Sequence, residues 1–250
     1  MRGILEACGC FPTGHHYPGI AHLLRAVVRG LVADLSADAA WAELPIALVD
    51  VETTGRDPST DRIVEVGLAI SRAGEIVERR TWLVNPGRPI PKEAIDVHTI
   101  TDEDVKGAPP FALVASEILA AFAGCIPAAY NASFDKAFLK SELDRAMLTG
   151  DVRCRPFQRE VEWIDPLVWA RELQSEERSR TLAEVAARLG IPIQNVHRAG
   201  DDAEAALRVM LALGRDARVP STYGVLVQQQ RRLGLEQADE RRLRWRVGGS

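Results

Sequence analysis

The chain has 250 residues, of which 46% are hydrophobic and 26% charged, and a formal net charge of −4. That length and composition exclude wholesale disorder and fit one large α/β domain with extensions, or two small domains. The acidic balance lacks the basic footprint usual for nucleic-acid binding, although carboxylates gathered to hold divalent cations create the same excess.

Residues 1–44 read as an N-terminal helical extension. A Gly, Cys, Pro and His-rich stretch from Cys8 to Gly19 precedes Ile20, Leu23, Leu24, Val27, Val28, Leu31, Val32 and Leu35, which form one apolar stripe at helical spacing. The stripe needs a partner surface, either the main domain or, by self-association or docking, a second protein. Cys8, Cys10, His15 and His16 are zinc-ligand types, but their spacing is not a usual structural-zinc pattern.

From Ile46 the pattern changes to strands, over Ile46 to Thr53, Arg62 to Ser71 and Ile76 to Val84, with turn signals at Gly55 to Ser59 and Ala73-Gly74. These predict an antiparallel meander. Pro86 to Pro91 breaks the pattern, and Thr101 followed by Asp102, Glu103 and Asp104 marks a helix start near Val105. A helix over Phe111 to Ala123, a strand at Ile126 to Tyr130 and a helix over Ala132 to Leu148 follow, as a parallel crossover requires. Asp151 to Glu160 reads as a surface loop before a short strand at Val161 to Ile164. Asp165 then sits at an N-cap with Pro166 at the first helical position. Helices over Thr181 to Leu189 and Asp201 to Leu213 complete a domain spanning 45–215. The segment 216–250 reads as a basic tail, either solvated or, less simply, tracking phosphates.

Chemistry concentrates in three segments. In Asp50-Val51-Glu52-Thr53-Thr54-Gly55, alternation along a strand sends Asp50 and Glu52 to one face, about 6–7 Å apart, where their carboxylates can converge on a cation. A strand end emerging into solvent would give the same pair without chemistry. Asp135, in Asn131-Ala132-Ser133-Phe134-Asp135, lies in the first turn of a helix, where the helix dipole alone favours an acid, but it follows a strand end as Asp50 and Glu52 do. In His197-Arg198-Ala199-Gly200-Asp201-Asp202, Asp202 can ligate a metal and His197 can reach the same place from a loop. A loop histidine is usually just exposed; an imidazole, with an ordinary pKa of about 6.5, can also accept a proton from water at neutral pH.

In this order the three segments resemble the DEDDh exonuclease superfamily and its DnaQ-like branch, the proofreading subunits of bacterial replicative polymerases and their relatives. The resemblance spans about Ile46 to Gly214 and includes Val97-His98-Thr99-Ile100-Thr101 and Ile164-Asp165-Pro166-Leu167. It implies a ribonuclease H-like α/β fold with a mixed five-stranded sheet flanked by helices. It also implies a 3′-to-5′ exonuclease that uses two Mg²⁺ or Mn²⁺ ions to release nucleoside 5′-monophosphates from single-stranded or frayed 3′ ends, in proofreading or repair. Asp50, Glu52, Asp135 and Asp202 would hold the metals, with Asp50 bridging, and His197 would be the general base. Thr53, Thr54, His98 and Ile100 would meet the terminal nucleotide.

Thr53 separates the chain from the oligoribonuclease branch, whose first motif resembles Asp-Leu-Glu-Met-Thr-Gly. Two other readings stay open: an RNA substrate, and a non-catalytic nucleic-acid-binding module. The resemblance also makes a polymerase a candidate partner for the N-terminal helix. Cys8, Cys10, Cys125 and Cys154 are too few and scattered for a secreted disulfide framework, and no apolar run is long enough for a bilayer, so a soluble cytoplasmic protein without a membrane partner is expected.

Overall fold

The computed structural model describes residues 37–148, 150–158, 161–194 and 197–248, without the side chains of 244–248. The apolar stripe from Ile20 to Leu35 and the Cys8, Cys10, His15, His16 group lie outside the described residues.

β1 (Ile46–Thr53), β2 (Ile63–Arg72) and β3 (Glu75–Leu83) form the antiparallel meander, and β4 (Ile126–Ala128) runs parallel to β1, giving the order β3-β2-β1-β4. The sheet has four strands, not the expected five. Of Val161 to Ile164 only Ile164 bridges β4, donating to the Pro127 carbonyl at 3.0 Å and accepting from the Ala129 N–H at 3.1 Å. Trp163 turns inward, its Nε1–H donating to the Pro156 carbonyl at 2.8 Å. On the outer side the Gln230 amide ends the ladder: its Oε1 accepts from the Asp165 N–H and its Nε2 donates to the Trp163 carbonyl, each at 2.8 Å. A side-chain amide thus takes the place of a neighbouring peptide and covers the sheet edge.

The helices are α1 (Lys92–His98), α2 (Asp102–Val105), α3 (Phe111–Ala121), α4 (Ala132–Arg145), α5 (Pro166–Leu173), α6 (Leu182–Arg188), α7 (Ala199–Leu213) and α8 (Tyr223–Gly248). α1 was not foreseen, because three prolines between 86 and 91 obscure a helix that starts just after the last of them. α2 ends at Val105 rather than starting there, because Thr101 and Asp104 form a capping box one turn earlier. The expected surface loop from Asp151 contains a 3₁₀ turn, Val152–Phe157, that buries Cys154, Pro156 and Phe157. Within α8, Leu226, Gln230 and Leu233 are buried. No described helix is long and apolar enough to cross a membrane.

β1 divides the core. Ala47, Val49 and Val51 face α3, α4 and the aromatic group of Phe122, Phe157 and Trp163, whereas Ile46 and Leu48 face the opposite layer with Trp169, Val185, Leu207 and Met210. Period-two alternation therefore carries Asp50 and Glu52 onto the face beneath α7.

Candidate active site

Close backbone contact brings α7 near those acids. Gly67, paired with Asp50 across β1 and β2, leaves room for the α7 entrance, since a Cβ there would overlap the Ala199 carbonyl. Asp202 lies in the first turn of α7, its Oδ2 accepting the His197 N–H at 3.0 Å. His197 has φ 65°, a left-handed conformation uncommon outside glycine and asparagine. Glu52, His197 and Asp202 each offer a ligand atom, and these atoms lie within 4.8 Å of one another.

Asp135 enters from the other side. β4 pairs with β1 only from Ile46 to Leu48, so beyond Leu48 that edge of β1 has no strand neighbour. The Asp135 Oδ1 fills the gap by accepting the Val51 N–H at 3.1 Å. Asp165 fixes the start of α4 by accepting the Asn131 N–H at 3.0 Å and the Ala132 N–H at 3.1 Å. Further along α4, buried Glu142 accepts two bonds from the Arg62 guanidinium, at 2.7 and 3.0 Å, which ties the helix to the start of β2. The site thus opens at the carboxyl ends of a parallel strand pair, where α/β sheets leave a crevice.

The electrostatics are those of acids held together against their charge. Burial, then the charges of Asp202 and Glu65, push Asp50 up to about 8. Burial, then Asp50, Asp202 and Glu65, push Glu52 up to about 9, against a smaller opposing effect of Arg198. Asp135 is raised well above the usual carboxylate range by burial and then by Asp50, and Asp202 is raised chiefly by burial. Asp50 is common to both sides, acting on Glu52 and on Asp135. The Asp202 Oδ1 is buried with no hydrogen-bond partner. Carboxyl oxygens crowded in this way suit a hard divalent cation, which would supply positive charge as it displaces their protons.

Sequence reasoning missed Glu65. It is fully buried on β2 opposite Glu52, and its Oε1 and Oε2 accept from the Arg198 guanidinium at 2.5 and 3.2 Å. Oε2 also accepts the Ala199 N–H at 2.8 Å, satisfying a free donor at the helix start. The available signal was an acid inside the apolar run Ile63-Val64-Glu65-Val66, two residues before a glycine.

The family model described as "Exonuclease" matches residues 48–210, which contain every one of these residues. The chain belongs to this exonuclease family. The likeness to DnaQ-like enzymes drawn from the motifs stands with it. A DNA polymerase III PolC-type protein of Thermotoga maritima is 31% identical over 193 residues, covering 77% of this chain but 14% of the relative. One from Clostridium perfringens is 32% identical over 161 residues, covering 64% of this chain and 10% of the relative. The chain therefore spans only about a seventh or less of the length of these relatives. Among solved structures, exonuclease X in complex with 5′ overhanging duplex DNA has a TM-score of 0.56 at 22% identity, covering 73% of this chain and 99% of that one. The nuclease domain of 3′hExo, a DEDDh family member bound to rAMP, has a TM-score of 0.59 at 19% identity, covering 72% and 96%. These likenesses establish the fold, an RNase H-like exonuclease architecture.

The four other residues expected to meet substrate are Thr53, Thr54, His98 and Ile100. The Thr53 hydroxyl donates to the Gly55 carbonyl at 2.6 Å, and the Thr54 hydroxyl donates to Asp61 at 3.3 Å while accepting the Arg62 N–H at 3.0 Å. Both hydroxyls are engaged within the protein. His98 is buried, and its Nδ1 accepts the Ile100 N–H at 3.0 Å. Burial holds its pKa down against an opposing hydrogen-bond effect of the Thr53 backbone, and with Nδ1 accepting, the neutral ring carries its proton on Nε2. Ile100 is buried with Val64, Ile90 and Val105. Thr99 and Asn131, like His197, have left-handed backbones, with φ 62° and 72°.

Proposed function

We propose that this exonuclease hydrolyses the 3′-terminal phosphodiester of a DNA strand and releases nucleoside 5′-monophosphates, with Asp50, Glu52, Asp135 and Asp202 holding two Mg²⁺ or Mn²⁺ ions. The observation that carries the reading is the convergence of Glu52, His197 and Asp202 within 4.8 Å, on the face of β1 that also bears Asp50. Crowded, desolvated carboxylates and the unpartnered Asp202 oxygen fit cation ligation better than a solvated acidic edge.

Such ions supply an activated water and charge stabilisation at the leaving 3′ oxygen. This chain's own groups do the rest. Asp50, adjacent to acids on both sides, would hold the ions together with Glu52, Asp202 and Asp135. His197, exposed on a loop, takes the proton of the attacking water at a ring nitrogen. His98, beside the Thr53 backbone, would help to shape the pocket for the terminal sugar, and Thr53 and Thr54 offer backbone groups. The two described cysteines, Cys125 and Cys154, are free thiols, in keeping with a reducing cytoplasm.

DNA is favoured by the replicative polymerase relatives, and a role in proofreading or repair follows from them. An RNA substrate is the second reading, favoured by the rAMP bound to 3′hExo. Matched DNA and RNA oligomers labelled at the 5′ end, digested side by side with Mn²⁺, decide between them. Faster shortening of DNA from its 3′ end is expected. Preference for RNA would install the second reading, and intact strands that are nevertheless bound would leave only a binding module.

A further inference from the structure

An open groove of about 780 Å³ lies between α5, the 174–181 loop and α8, beginning at Tyr130 and Asn131, where β4 hands over to α4. Its walls carry Arg171, Arg178, Arg180 and Arg241, against the two carboxylates of Glu177 and Glu240. In a chain with net charge −4 this is a local reversal of sign. Asn131 is four residues before Asp135, about 6 Å along the α4 axis, so the groove starts one helical turn from the acid cluster.

Among the described residues, the groove's arginines outnumber its carboxylates. Among the described residues, Arg171, Arg178 and Arg241 have no carboxylate at ion-pair distance. Glu177 instead lies 3.7 Å from Arg188. Asp165, the acid that acts on Arg171, is engaged by the Asn131, Ala132 and Leu167 N–H groups. Arg180 donates only to carbonyls, those of Gln174 at 3.0 Å and Ser175 at 2.5 Å. The Tyr130 hydroxyl in turn donates to the Arg180 carbonyl at 2.7 Å and anchors the loop to the β4–α4 junction. Burial and then the neighbouring Arg241 charge depress the Arg171 pKa. Arg171 is half-buried on α5 and Arg241 is exposed on α8, and two guanidinium groups lining one groove call for an anion between them.

We propose that this groove binds the phosphodiester backbone of the substrate strand upstream of its 3′ terminus. The proposal rests on the exonuclease reading above and adds the path that the uncleaved strand takes from the site. Planar guanidinium groups on three separate elements suit successive phosphates without reading bases.

Arg178 and Arg241 are exposed, so Arg178→Glu with Arg241→Glu tests the groove in the full chain without removing core contacts. Binding of a long thymidine oligomer is measured in EDTA across a salt series, and hydrolysis with Mn²⁺ is compared for that oligomer and a dinucleotide. The slope of log K against log salt should fall by about 0.7 for each lost phosphate contact, about 1.4 for the pair. The variant's deficit in kcat/KM should appear on the oligomer and not on the dinucleotide. An unchanged slope, or equal losses on both substrates, overturns the proposal; so does weakened binding of a free mononucleotide with oligomer binding intact. Should the wild-type chain hydrolyse neither substrate, the exonuclease reading fails, while the salt slopes measured in EDTA still decide the groove.

Discussion

Glu65 and Arg198 join the second strand to the entrance of α7, with the guanidinium 2.5 Å from a carboxylate that is fully buried. Because His197 precedes Arg198 and Asp202 follows four residues later, this ion pair sets where both stand relative to Glu52. Glu65→Gln keeps the volume but removes charge-assisted bonds worth about 1.5–3 kcal/mol, toward the lower end because Arg198 is half-exposed. Thermal unfolding should fall by about 2–4 °C per kcal/mol lost, and kcat should drop by up to about 10²-fold from misplacement. Arg198→Ala should be non-additive with it in a double-mutant cycle; additivity would show that the pair does not act as a unit.

Gly67→Ala isolates the approach of α7 to the sheet. The new methyl group would meet the Ala199 backbone, which cannot rotate away as a side chain can. Overpacking of this kind costs about 1–3 kcal/mol, and the variant should lose turnover beyond its loss of stability. Calorimetry beside kinetics checks this; an unaltered enzyme would mean the helix start has room to move.

His197→Asn tests the proton acceptor while retaining a residue that tolerates a left-handed backbone. Metal binding by the carboxylates should persist, and kcat should fall by about 10²–10⁴-fold. Full activity would remove His197 from the mechanism.

A metal held as proposed would compete with protons for the same oxygens. Asp50, at about 8, and Glu52, at about 9, keep protons in the folded chain that the same groups release near 3.8 and 4.5 when unfolded. Between those limits the folded state binds more protons, so this contribution to stability is complete below about pH 4 and is lost as pH rises toward about 9. In EDTA the melting temperature should decline over that window relative to Asp50→Asn, and Mn²⁺ should reverse the decline. Calorimetry in buffers of different ionisation enthalpy should register proton release on Mn²⁺ binding at neutral pH; no release would mean that the acids are already charged.

Strands were legible where one alternation dominated: β1 has the expected bounds, and β2 and β3 are each displaced by one residue. Asp50 and Glu52 could be placed on one face for the same reason. The Asp165 cap with Pro166 was equally plain, since a cap is written in adjacent residues. Glu65 and Gln230 were not legible, because their partners lie 133 and up to 67 residues away and neither departs from a local pattern in a way that names the partner. The short fifth strand failed for a related reason. Its continuation depended on a glutamine of the last helix, which takes the ladder's outer groups.

Metal-dependent hydrolysis by the acid cluster is tested by Asp202→Asn in ¹⁸O-labelled water. With Mn²⁺ and a single-stranded DNA oligomer, the wild-type chain should release nucleoside 5′-monophosphates carrying ¹⁸O on phosphorus. Asp202→Asn should release none, yet melt in EDTA at or above the wild-type temperature because one of the mutually repelling acids is gone. Equal release by both proteins, or label appearing in a 3′-phosphate product, would rule out hydrolysis by these acids.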